Sequence, residues 1–230
     1  MKTSSLNLRP LLLLAVMMLT ASVSFAQSRS YIRNQIKEWG ECRNVAITRT
    51  NGDLALYGKN GCARSGVPRQ LSETITDLNN REEFIDDVQL TENGNWLVLY
   101  GNNGMVWNGI SYSLENKIRE YNSNDEIITT VTFNDSGDWI VVSTEHISAS
   151  SSEIQNWLAE GLENHGQLWT ACITDDGLVA VYERGYRYLG NVPSDLKRAL
   201  GETDLDVYRL KIAGTAWFFA DRDGRYRYNM

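Results

Sequence analysis

Along this chain, short stretches of alternating apolar and polar residues lead into a turn, and the turn leads into a run that is apolar throughout. From Val88 the order is Val88-Gln89-Leu90, a turn at Asn93-Gly94, then Trp96-Leu97-Val98-Leu99-Tyr100. The same order recurs near Val45, Val131, Ala171 and Leu210. The first-turn glycines are Gly52, Gly94, Gly137, Gly177 and Gly214, spaced by about 40 residues. A fixed period of that length marks a repeat architecture.

Alternation predicts a strand, and Asn-Gly between apolar runs predicts a tight hairpin, because both residues tolerate positive φ. The continuous run that follows predicts a strand buried on both faces. A second tight turn comes next, at Lys59-Asn60-Gly61, Asn102-Asn103-Gly104 and Arg222-Asp223-Gly224. Beyond it lies a short, more polar third strand, such as Val106-Trp107-Asn108, of the kind found nearer a sheet edge.

After the third strand the period lengthens to that of a helix. Leu71, Ile75 and Leu78 share one side of 68–79, and Leu114, Ile118 and Tyr121 share one side of 111–122. Ile154, Trp157, Leu158 and Leu162 do the same in 152–163, as do Leu196 and Leu200 in 193–201. A further helix stands ahead of the first strand, with Tyr31, Ile32, Ile36 and Trp39 at helical spacing, whereas the last copy has strands and no helix. The fifth unit is thus divided between the two ends of the chain. A closed ring accounts for the division, since the N-terminal helix then completes the last unit. The predicted fold is an α+β repeat, a closed five-unit ring of ββ(β)α units forming one domain over 27–230.

On repeat number, unit content and the divided unit, the chain resembles a five-bladed β-propeller with a helix in each blade, or an α/β-propeller of the pentein type. The likeness covers 27–230 and implies first strands near the ring axis with helices toward the rim. Pentein enzymes modify guanidino groups with a nucleophilic Cys, a His and acidic residues around that axis. Carried onto this chain, the resemblance implies Cys172, in the first strand of the fourth unit, as nucleophile and His146 or His165 as base. Penteins place the nucleophile late in the chain, and the last unit here has no Cys. A non-catalytic protein without a cofactor is therefore the first expectation and the enzyme the alternative.

Residues 1–26 read differently from the repeat. Lys2 and Arg9 precede an unbroken apolar run, Leu11–Leu19, and small residues Ser24 and Ala26 follow. That is the pattern of a secretory signal peptide. The run is shorter than the roughly 20 residues a membrane-spanning helix needs, and nothing later is longer. A secreted or periplasmic location is predicted. With 29 acidic and 22 basic side chains the net charge is −7, opposite to the basic footprint of a nucleic-acid binder. Export also permits disulfides. Cys42 just before the first strand and Cys62 at the third strand of the same unit are the predicted pair; in the chain-entropy picture, closing that loop contributes about 3 kcal/mol.

Candidate chemistry is sparse. His146 and His165 lack the spacing of paired metal ligands, so no metal site is predicted. Aromatic and arginine side chains gather instead on the third strands: Trp107, Tyr186, Tyr188, Tyr226 and Tyr228, with Arg187, Arg225 and Arg227. Such residues are the usual anchors of binding surfaces. The sequence therefore predicts an exported monomer that holds a protein or glycan partner on a surface built from its repeats.

Overall fold

The computed structural model describes residues 29–50 and 52–230. The expected signal peptide, 1–26, lies outside them. Helix α1 occupies residues 29–39. Five sets of three strands follow, each set but the last trailed by a helix. The first set is β1 (Asn44–Ile47), β2 (Asp53–Tyr57) and β3 (Gly61–Ser65), then α2 (Arg69–Asn80). The second is β4 (Ile85–Leu90), β5 (Trp96–Tyr100) and β6 (Gly104–Asn108), then α3 (Tyr112–Ser123). The third is β7 (Ile128–Phe133), β8 (Trp139–Ser143) and β9 (Ile147–Ala149), then α4 (Ser152–His165). The fourth is β10 (Leu168–Ile173), β11 (Gly177–Tyr182) and β12 (Gly185–Gly190), then α5 (Ser194–Gly201). The last is β13 (Arg209–Ala213), β14 (Ala216–Ala220) and β15 (Tyr226–Tyr228).

Each set is its own antiparallel sheet in chain order. The registers superimpose from unit to unit: Ala46 faces Leu54, Gln89 faces Leu97, Thr132 faces Ile140, Cys172 faces Val179 and Lys211 faces Phe218. Gly94 and Gly137 turn their hairpins at φ 81° and 96°, where a side chain would be strained. Ser111 and Ser151 cap α3 and α4 by accepting from the N–H groups of Leu114 and Ile154, both at 3.3 Å.

The middle strands explain how the sheets associate. Trp96 and Val98 of β5 belong to one apolar core, and Leu97 and Leu99 to the next. Each core joins two consecutive sheets and the helix between them; Leu71, Ile75 and Leu78 of α2, for example, lie between the first sheet and the second. Helix α1 takes the same position between the last sheet and the first. Ile32 and Ile36 share a core with Phe218 and Ala220 on one side and Val45, Ala55 and Ala63 on the other. Among first strands, β1 lies against β4 and β13, β7 lies against β4 and β10, and β10 lies against β13.

Two expectations change. Helix α4 continues through His165, which lies in its last turn rather than after it, and Gly166 at φ 82° ends the helix. A His at a helix C-terminus also faces the negative end of the dipole. The Cys42–Cys62 disulfide is not formed; all three cysteines are free. Cys42 is buried in the core that holds α1, whereas Cys62 packs against the core that holds α2, so the first sheet stands between the two thiols.

Because α1 fills an interface between sheets distant in sequence, Ile36→Ala should destabilise the whole protein by about 2–5 kcal/mol, as for a buried aliphatic elsewhere. Urea unfolding followed by tryptophan fluorescence measures this. A single transition with a lower midpoint is expected; local loss of the helix with an unchanged main transition would contradict it.

Candidate functional site

Alternation sends every second residue of a first strand to the same face. One set of equivalent positions holds Asn44, Asp87, Thr130, Thr170 and Arg209, and the next holds Ala46, Gln89, Thr132, Cys172 and Lys211. All ten are buried. Ordinary alternation leaves the polar face in water. Here both faces of every sheet are covered, so these polar groups meet one another in a buried column.

Lys211 Nζ donates to Asp87 Oδ1 at 2.6 Å, and Asn44 Nδ2 donates to the same oxygen at 2.6 Å. Arg209 Nη2 donates to Asp86 Oδ2 at 2.6 Å. The adjacent carboxylates find separate partners because β4 slips register between Ile85 and Asp87, placing Asp86 in a bulge. Lys211 and Arg209 belong to the last sheet and the two aspartates to the second. The intervening first sheet carries the small Ala46 and Asn44 at these positions, which leaves the long basic side chains room to reach across. Burial pushes the Asp87 carboxyl up, but the charges of Lys211 and Arg209 and the donated hydrogen bonds outweigh it and hold its pKa below the usual range.

At the hairpin end of the first strands, acidic residues clasp neighbouring turns. Glu92 accepts from Arg49 N at 2.6 Å and from Thr50 Oγ1 at 3.1 Å. Asp135 accepts from Thr91 Oγ1 at 2.6 Å and Asn93 N at 3.1 Å, and Asp175 accepts from Ser136 N at 3.0 Å. The acid belongs to the second, third and fourth units; at the equivalent position the first unit has Arg49 and the last has Gly214. Arg49 lies over Gly214, where an added Cβ would come within 2.9 Å of its Cδ, and pairs with Asp176 at 3.4 Å. Beneath is a cavity of about 50 Å³ bordered by Cys172, Lys211 and Gln89, with room for a few water-sized molecules.

The groups considered for catalysis do not converge. Cys172 is buried at the floor of this cavity, and burial pushes its thiol up to about 11, with the Lys211 charge opposing. His146 sits in the β8–β9 turn with Nδ1 3.1 Å from Glu126 Oε1. His165 lies beside the Tyr182 ring, 5.8 Å between centroids. Neither histidine borders the cavity. Among the described residues, no three His, Cys, Asp or Glu side chains are grouped to hold a metal ion.

The third-strand aromatics divide among three sheets. Trp107 packs on the α3 core, Tyr186 and Tyr188 on the α5 core, and Tyr226 and Tyr228 on the α1 core, their rings stacked at 5.7 Å. Their arginines are engaged locally. Arg187 bonds Glu160 at 2.7 Å and lies over Trp157, Arg225 bonds Asp221 at 2.6 Å, and Arg227 faces Asp204 at 3.5 Å. The polar column was the feature missed from sequence. Its signal was present in Asp87, Arg209 and Lys211, charged residues at equivalent offsets in strands otherwise apolar.

No protein-family model matches the chain, and no curated protein matches it.

Removing one partner of the buried pair should be costly. Asp87→Asn is expected to lose about 3–5 kcal/mol, since it leaves Lys211 charged, buried and unpaired, and Asp87→Leu with Lys211→Met should recover most of that loss. Urea midpoints at pH 7 compare the three proteins. A carboxylate with a depressed native pKa contributes stability above its unfolded value of about 3.9 and loses it as pH falls further. Wild-type stability should therefore drop below about pH 4, and less steeply in the double variant. Equal losses in single and double variants would refute the pairing.

Proposed function

We propose that the five sheets close into a ring and that the protein is an exported, non-catalytic binding or scaffold protein. The carrying observation is that Lys211 pairs with Asp87 and Arg209 with Asp86 inside the fold, while burial pushes the Cys172 thiol beside them up to about 11 and neither histidine borders its cavity. The neighbour relations of the first strands, with β1 between β13 and β4, support closure. So does the position of α1 between the last sheet and the first. In a ring of sheets stacked face to face, strand faces are buried and recognition falls to loops and strand ends. Among the described residues no helix is long and apolar enough to cross a membrane. The partner on this reading is a protein or a glycan.

Thiol labelling separates this reading from a guanidino-modifying enzyme. A nucleophilic cysteine reacts as its thiolate, and at pH 8 Cys172 should be modified by an aromatic disulfide reagent only after denaturation. Arginine and agmatine should not be turned over. Rapid labelling of Cys172 in the folded protein together with turnover of either compound would sink the proposal. Its positive arm is a panel of peptides and glycans, on which the folded protein should retain ligands that urea abolishes.

A further inference from the structure

The two ends of the first strands differ. At the hairpin end the acids are committed to neighbouring turns. At the opposite end, where the chain enters the first strands, Arg43, Phe84, Asp86, Tyr208, Arg209 and Arg222 line a cleft of about 270 Å³. A second cavity of about 140 Å³, bordered by Ile127, adjoins it and shares Asp86 and Tyr208. Together they make a groove across the ends of several sheets.

The charges of the cleft do not cancel. Arg209 takes Asp86, and its Nε, in a side chain 2% exposed, has no acceptor. Asp221, which also borders the cleft, accepts from Asp223 N, Arg225 N and Arg225 Nε. Arg43 donates to the carbonyls of Gly58 and Lys59 and has no acid of its own. Arg222 is exposed, and among the described residues its guanidinium makes no hydrogen bond or ion pair. Two guanidinium charges thus stand in excess in a chain whose net charge is −7.

Aromatic rings hold these cations in place. Arg222 lies 4.5 Å and Arg209 3.9 Å from the Tyr208 centroid, and Arg43 lies 4.3 Å from that of Phe84. A guanidinium stacked on a ring can present an N–H edge as a fork matched to a carboxylate. Among the described residues Arg222 has both edges free, and Arg43, whose Nε and Nη2 serve the Gly58 and Lys59 carbonyls, keeps Nη1. Two guanidiniums already lie within 4.5 Å of the Tyr208 centroid, so that ring is taken up by cations rather than free for a sugar to stack on. Phe84 and Ile127 are large apolar side chains left 39% and 51% exposed beside these cations. Carboxylate-binding edges flanked by apolar surface along a groove suit a peptide better than a carbohydrate.

We propose that this groove binds an acidic polypeptide segment, with an Asp, Glu or C-terminal carboxylate held by Arg222 and Arg43 and an apolar neighbour resting on Phe84 or Ile127. This rests on the reading of the protein as a binding module and assigns its face and its ligand class. A peptide array in which each Glu peptide has a Gln counterpart, printed beside oligogalacturonates as acidic glycans, tests it. Wild-type protein should retain Glu peptides and release their Gln counterparts. Arg222→Gln should weaken retention at least tenfold with an unchanged melting temperature, since Arg222 is exposed and its only contact among the described residues, with the Tyr208 ring, lies at the surface. Arg222→Lys, which keeps the charge and loses the fork, should fall between.

Equal binding of Glu and Gln peptides would overturn the proposal, as would full retention by Arg222→Gln or a preference for oligogalacturonate. Each of those outcomes leaves a binding protein with a different site or ligand. An array on which nothing is retained, with turnover of arginine or agmatine, would instead remove the binding reading itself.

Discussion

Every middle strand of this protein is apolar on both faces, and the rest of the structure depends on covering both. The unit's own helix, α3, lies on the Leu97–Leu99 face of β5, while the third strand pairs edge to edge in the same sheet and covers neither face. The Trp96–Val98 face is covered only by the adjacent unit, through the first sheet and α2. The requirement passes from sheet to sheet, and at the last sheet it is met by Ile32 and Ile36 of α1 together with the first sheet. Stability is therefore shared among interfaces, as in repeat proteins generally, but here the two ends of the chain share an interface as well. Cys42 N donates to Gly224 O at 2.9 Å across that junction.

The same burial raises a problem that the polar column solves. Once each sheet is covered on both faces, polar side chains of the first strands lose water and must find partners. Asn44 and Thr132 do so through the Asp87 carboxylate and the Ile173 N–H, whereas the Thr130 hydroxyl is left without a partner among the described residues. The charged residues find partners by long reach, from Lys211 and Arg209 of the last sheet to Asp87 and Asp86 of the second. A buried ion pair adds little net stability over an apolar pair of the same shape. What it supplies is asymmetry. At the equivalent positions the third and fourth sheets carry Thr130, Thr132, Thr170 and Cys172, so the basic pair of the last sheet finds matching acids on the second alone. Five closely similar interfaces could otherwise pair in the wrong order.

The repeat, its three strands and its helices were legible because each rests on local chemistry. Asn93-Gly94 sets a hairpin, the spacing of Leu114, Ile118 and Tyr121 sets a helix, and Ser111 starts it. The third-strand rings were less legible. Tyr226 and Tyr228 share a face in a strand pattern, but whether that face meets solvent depends on α1, which is about 190 residues away in sequence and bonded through Tyr226 Oη to Ile36 O. The cysteines failed for a related reason. Proximity along a hairpin brings Cys42 and Cys62 near in sequence terms, yet Cys42 lies before β1 and outside its alternation, and it enters the α1 core while Cys62 packs on the α2 core across the sheet. The column was hidden by a rule that ordinarily holds, that polar residues alternating in a strand face water.

These constraints also bear on where recognition can reside. A side chain on a strand face is committed to one of two cores, and a polar one near the first strands is committed to the column. Loops at the hairpin end are tied together by Glu92, Asp135 and Asp175, whose carboxylates serve backbone donors of the adjacent unit. The third-strand aromatics lie against helix-bearing cores. At the entry end Arg209 is drawn inward to Asp86, and Tyr208, one residue earlier and outside the strand, is left to support Arg222 from the last β-turn. The unpaired guanidinium is thus a consequence of the packing. Arg209, paired with Asp86, lies against the Tyr208 ring, and the same ring holds Arg222, a surface cation that makes no ion pair among the described residues.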